Sequence, residues 1–277
     1  MSSLPFHVHP VMVVAIVGLF FLHRVLVADT IMRRRAFYAL LALLVVVVWP
    51  IGDLAASVSV SVTTVQRLVI MLFCAPFLLR SLPMHLLVRC TRPTLFDAAS
   101  RVIVQPVVAI VFVTVVGTLT LAPFAVDGGA RSSLVRGVVL LVTLIVGVVL
   151  WLPVLSLLPG TRHLSLAGRG GYLFASSILV TTFSFAWIFS KHSLYPALHY
   201  QQQLIGMSAL VDQQVAGFIA KLGAFGVMWA MGFRYFFKSD EEGVANEETP
   251  LHWADVEREL LRVDRKRARA ERRNGPT

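Results

Sequence analysis

Leu134–Leu158 reads LVRGVVLLVTLIVGVVLWLPVLSLL, a run with one basic residue, Arg136, and no acidic one. The hydrocarbon core of a bilayer is about 30 Å thick, and about 20 predominantly apolar residues in a helix cross it. A helix that is apolar all round belongs in lipid or in the core of a large protein. Six more runs of this kind follow the same reading: roughly Val8 to Val27, Ala36 to Ala56, Val62 to Leu82, Val102 to Val126, Gly171 to Ser190 and Val215 to Phe237. The expected fold is therefore all-α, a polytopic bundle of about seven transmembrane helices. In the third run Gln66 and Arg67 interrupt the start, and Pro76 predicts a kink in the middle.

Composition agrees with lipid as the solvent. Of 277 residues, 57% are hydrophobic and 14% charged, with a mean hydropathy of +0.76, whereas soluble domains carry about 25% charge. The net charge of +10 does not point to nucleic acid, because nine of the 25 Lys and Arg lie after Phe237 and most others sit in short loops. Cys74 and Cys90 are too far apart for a CxxC metal pair. Met1 to Pro10 lacks the positive n-region of a cleaved signal peptide, so the first run reads as a retained helix.

Basic residues also predict orientation. Arg33, Arg34 and Arg35 follow the first run, Arg80, Arg89, Arg92 and Arg101 the third, Arg162 and Arg169 the fifth, and Lys238 the last. The opposite loops offer only Arg131 and Lys191. The positive-inside rule then places the N-terminus outside and the C-terminus in the cytoplasm of a multi-pass cell-membrane protein. Removing any one run would scramble the alternation. Residues 1–237 form the expected membrane domain and 238–277 a charged tail. In that tail Thr249 and Pro250 read as the N-cap and first position of a helix. Trp253, Val256, Leu260 and Val263 give it a thin apolar stripe beside several arginines, suited to an anionic lipid surface or a protein partner.

No P-loop, GxGxxG, HExxH or GxSxG motif is present, which argues against an enzyme. The candidate residues are instead polar groups near the external ends of the runs, where a charge in hydrocarbon is costly. Asp53, Gln66, Arg67, Asp212, Gln213, Gln214 and Lys221 make this set. Their simplest arrangement is a group of ion pairs, with Arg67 between Asp53 and Asp212 and Lys221 deeper. Polar side chains that seal helix packing are the plainer reading. His7, His9, His192 and His199 fall on the same side, and imidazoles from an HxH pair and the last external loop would suit Cu(II). Met207 in that loop would favour Cu(I), while Met228 and Met231 read as packing.

Ser193-Leu-Tyr-Pro-Ala-Leu, followed by Leu210-Val-Asp-Gln-Gln-Val-Ala-Gly-Phe-Ile, resembles the multi-spanning CtaG family of cytochrome c oxidase assembly factors. Tyr195, Pro196 and Gly217 carry the likeness, together with Gly52-Asp53-Leu54, Val65-Gln66-Arg67-Leu68 and Ala75-Pro76-Phe77-Leu78 upstream. The resemblance implies a non-enzymatic accessory factor that contacts oxidase subunits in the respiratory chain and handles copper on the outer face. It also implies an HxxxH pair where this chain has Thr63 and Arg67, so the copper ligands expected from relatives are missing. A small transporter or channel lined by Asp53, Arg67, Asp212 and Lys221, and a permanent structural subunit of a respiratory complex, are the alternatives.

Overall fold

The computed structural model describes residues 10–48, 51–91, 94–158, 164–196, 198 and 206–247. Every regular element among them is helical: α1 (Pro10–Leu26), α2 (Thr30–Val47), α3 (Ile51–Ser57), α4 (Val60–Arg80), α5 (Met84–Thr91), α6 (Thr94–Ile103), α7 (Pro106–Leu119), α8 (Pro123–Arg131), α9 (Ser133–Leu155), α10 (Leu166–Val180), α11 (Phe183–Phe189) and α12 (Ala209–Glu247). Several helices start where a short polar side chain caps them. Asp29 accepts from the Met32 amide at α2, Ser59 from Val62 at α4 and Ser165 from Gly168 at α10. The chain divides into two compact units, Met1–Tyr235 and Phe236–Thr277. In the second, the described residues 236–247 are helical, and the tail's expected amphipathic helix lies outside the described residues.

Among the described residues, three helices are long and apolar enough to cross a bilayer: α4, α9 and α12 through Ser239. Two bent pairs raise this to five, α7 with α8 at 53° and α10 with α11 at 40°. The predicted seven thus exceeds what length and composition alone support in the structure. The shortfall has a physical origin. The apolar part of α1 is Met12–Leu26, below 18 residues, and α2 carries Arg33, Arg34 and Arg35 in its first turns. The second run is also not one helix, since α2 stops at Val47 and α3 begins at Ile51.

The core forms around α9. Val146, Val149, Leu150 and Trp151 pack against Met71 and Ala75 of α4, Ala109 and Val113 of α7, Leu173 of α10, and Ala224 and Met228 of α12. Lipid gives apolar side chains no reason to leave it, so helices associate there through close packing and small residues. Gly147 shows how close. A Cβ at that position would stand 2.8 Å from the Met71 Cα and 2.9 Å from the Ala75 Cβ. Gly147→Ala is therefore expected to force α9 and α4 apart and cost about 2 kcal/mol. A melting temperature in detergent equal to that of the wild type would show that the two helices yield freely.

Pro76 does not kink α4 sharply. Ile70–Cys74 takes a π-helical turn instead, just before the proline. Proline has no amide to give the carbonyl four residues back and its ring crowds that carbonyl, so a widened turn accommodates it. The Met71 carbonyl in this turn accepts the indole Nε1 of Trp151 at 2.9 Å. Val14, Phe21, Val25, Val107, Leu134, Leu222 and Phe237 are among the many exposed apolar side chains. Such a surface suits lipid rather than water.

Candidate functional site

α4 places the central polar groups. Its N-terminal turn leaves backbone amides without helical partners, and the fully buried Asp212 carboxylate, in the first turn of α12, receives them. Val60 N donates to Oδ2 at 2.7 Å, Ser61 N to Oδ1 at 3.3 Å, and the Ser59 hydroxyl to Oδ1 at 2.8 Å. The Ser61 hydroxyl donates to the Asp212 carbonyl at 2.8 Å. A carboxylate at a helix N-terminus also meets the positive end of the helix dipole. Asp212 is thus held by a helix end.

Arg67 lies seven residues beyond Val60, about 10 Å along the helix. It reaches the break between α7 and α8. There the amides of Leu121 and Ala125 turn to Thr118 and Ala122, and Pro123 has no amide at all. The freed carbonyls need other donors, because an unsatisfied carbonyl in a dry interior costs several kcal/mol. Arg67 donates Nη1 to the Thr120 carbonyl at 3.2 Å and Nη2 to the Gly117 carbonyl at 3.3 Å, with a further contact from Nη2 to the Thr120 hydroxyl. The Tyr195 hydroxyl donates to the Leu121 carbonyl at 2.7 Å and accepts from Trp187 Nε1 at 2.7 Å. Two elements distant in sequence therefore close one break.

The same logic covers the rest of the set. The Val46 carbonyl in the last turn of α2 would look to residue 50 for its amide, and residue 50 is a proline. Gln66 supplies the donor at 2.7 Å. Lys221 donates to the Thr181 hydroxyl at 3.2 Å, at the α10–α11 break, and stands over the rings of Phe185 at 4.3 Å and Phe225 at 4.6 Å. Gln213 accepts from Leu194 N at 2.7 Å and donates to the His192 carbonyl at 3.4 Å, and Gln214 donates to the Ser190 carbonyl at 3.4 Å. Asp53, also buried, sits in the first turn of α3 and interacts electrostatically with Arg136 of α9. Of the resemblance residues, Tyr195 is buried, Pro196 is exposed, and Gly217 lets α12 touch α11, since a Cβ would stand 2.7 Å from Ile188 Cγ1 and 2.9 Å from the Ser184 carbonyl.

The expected ion pairs are corrected accordingly. Arg67 bonds carbonyls of the α7–α8 break and not Asp53 or Asp212, while Asp212 bonds α4 amides and Lys221 a hydroxyl and two rings. Charges separated along α4 are better matched by nearby helix ends than by one another. The partners Ser59, Ser61, Thr120 and Thr181 were not singled out from sequence, and neither was the role of the Tyr195 hydroxyl. The prolines at 50 and 123 were the available signal, since each marks a carbonyl that must find a donor elsewhere.

Two small cavities flank Arg67, of about 60 and 40 Å³. The first reaches Thr181 and Met228, and the second is bordered by Thr63, Thr120, Arg136 and Thr143. Each suits a water or two rather than a substrate. Of the four candidate copper ligands only His192 is among the described residues. Among them no group of three or more His, Cys, Asp and Glu converges, His192 is exposed, and a guanidinium beside Thr63 repels a cation. His7, His9 and His199 lie outside the described residues.

A family model described as a cytochrome c oxidase caa3 assembly factor matches residues 16–239, most of the chain. No curated protein and no solved structure gives a significant match.

Proposed function

The chain belongs to the cytochrome c oxidase caa3 assembly factor family, and from that premise we propose that it assists oxidase assembly as a non-enzymatic membrane scaffold in contact with oxidase subunits. The family match across residues 16–239 carries the reading. The site geometry supports it, because Gln66, Arg67, Asp212 and Lys221 bond helix ends and helix breaks, the work of a scaffold. What remains for a partner is the apolar outer face. Of α4, α9 and α12, the last is the least covered, with 28% of its span window buried against 50% and 56%.

In this reading α1 and α2 join the five candidate spans to make seven, with the N-terminus outside and the basic tail, residues 238–277, in the cytoplasm of the cell membrane. The tail meets anionic lipid or a protein partner. A conduit is disfavoured by the placement of Arg67, Asp212 and Lys221 at three separate helix ends. Deleting the gene tests the role directly. The expected result is loss of most assembled oxidase, read as haem absorbance and oxidase activity in washed membranes, and normal levels of both would exclude assembly.

Copper handling by His7, His9, His192 and His199 is a separate proposal with its own outcome. Equilibrium dialysis of the purified protein against copper tests it, and no bound metal would favour a scaffold without a copper step. One equivalent of copper, lost in a His192→Ala and His199→Ala variant, would instead establish a direct copper role.

A further inference from the structure

α1 and α2 form a hairpin whose connecting end gathers Arg24, Arg33, Arg34 and Arg35 within a dozen residues. Two of these are already engaged. Arg33 donates to the Val27 carbonyl at 2.6 Å and the Arg24 carbonyl at 2.9 Å, closing the C-terminal end of α1. Arg35 donates to the Arg80 carbonyl at 3.3 Å, at the end of α4. Arg24 and Arg34 are different, both exposed and neither paired with a carboxylate among the described residues. The nearest acid in sequence, Asp29, is occupied as the N-cap of α2.

Both guanidinia border a groove of about 430 Å³, together with Thr30 and the rings of Phe20, Phe37 and Tyr38. That volume lies in the usual range of small-molecule sites, about 300 to 1,000 Å³. Its lining is divided along the hairpin. Arg24 stands over the Phe20 ring at 5.7 Å, Phe20 meets Phe37 edge-on at 6.0 Å, and Phe37 meets Tyr38 at 5.6 Å. Charged donors thus sit at the connecting end and aromatic faces lead from it toward the exposed apolar residues Val17, Leu41 and Val45. A ligand complementary to this division has an anionic phosphate head and an apolar tail.

We propose that the α1–α2 groove binds one anionic phospholipid, with the phosphate between Arg24 and Arg34 and an acyl chain along Phe20 and Phe37. Arginine suits this role because its planar fork bonds phosphate oxygens in pairs. Arg33, held by the α1 carbonyls, sets the groove wall and adds charge without competing for the ligand. The inference rests on the chain being a membrane protein and is independent of any role in oxidase assembly, so an oxidase that is normal after gene deletion leaves it standing.

Delipidated protein in dodecylmaltoside, titrated with dioleoylphosphatidylglycerol or dioleoylphosphatidylcholine and read by native mass spectrometry, tests it. One phosphatidylglycerol is expected to bind at least about tenfold more tightly than phosphatidylcholine, and Arg24→Gln with Arg34→Gln should remove that preference, about fivefold for each arginine. Arg89→Gln, an exposed arginine on α5, should leave it intact. Arg24→Lys with Arg34→Lys should retain part of it, and the single Gln variants carry the test should the double one fail to fold. Equal binding of the two lipids overturns the proposal. So does an equal loss in Arg89→Gln, which would mean diffuse surface charge, and so does glycerol 1-phosphate binding as tightly as the lipid, which would mean a free-phosphate site.

Discussion

Asp212→Ala is expected to lower the melting temperature of the purified protein by about 10 °C. The carboxylate receives the Val60 and Ser61 amides and the Ser59 hydroxyl, all buried, and its loss leaves three donors without partners in a medium that offers none. Breaking a buried charged network costs about 3 kcal/mol or more, and each kcal/mol moves the transition of a chain near this size by about 2–4 °C. Asp212→Asn keeps the shape and one acceptor but turns an NH₂ toward donors, so about half the loss is expected. The sharper measurement is a double-mutant cycle of Asp212→Asn with Arg67→Met. If each charge is matched by its own helix end, the two losses add within about 0.5 kcal/mol. A coupling above about 1 kcal/mol would restore the direct ion pair that the sequence suggests.

Hydropathy reads long uninterrupted spans well: Leu134–Leu158 becomes α9, Ser133–Leu155, and Val62–Leu82 becomes α4, Val60–Arg80, despite Gln66, Arg67 and Pro76. It reads through interruptions. The run Val102–Val126 spreads over the end of α6, all of α7 and the start of α8, because averaging over a window hides a single Pro123. The residue types of the polar set were legible for the same reason, since each stands out against an apolar background. Their partners were not. Arg67, Gln66 and Tyr195 bond backbone carbonyls at Thr120, Val46 and Leu121, and a carbonyl has no letter in a sequence. Only charges and hydroxyls do, so a reading of letters pairs charge with charge. The pairing becomes visible once the helix breaks are located, and proline positions are the part of that information the sequence does hold.

Arg67→Met is expected to destabilise by about 3 kcal/mol and to reduce assembled oxidase in proportion to the folded protein that remains. Replacing both members of a buried pair by apolar residues is often neutral, because the desolvation cost disappears with the charges. Here the partners cannot be replaced. The Thr120 carbonyl stays where the α7–α8 break puts it and methionine gives it no donor, while the Gly117 carbonyl keeps only the Thr120 hydroxyl at 2.7 Å. Arg67→Lys should recover less than half of the loss, since an ammonium on a flexible stem cannot bond the two carbonyls and the Thr120 hydroxyl as the guanidinium fork does. Tyr195→Phe, which removes the bonds to the Leu121 carbonyl and the Trp187 indole, should cost about 1–2 kcal/mol. An Arg67→Met protein as stable as wild type would mean that water entering the flanking cavity satisfies those carbonyls. A stable Arg67→Met protein that nonetheless failed to support oxidase would be more informative still. It would separate Arg67 from the scaffold and place its charge in contact with the assembly process itself.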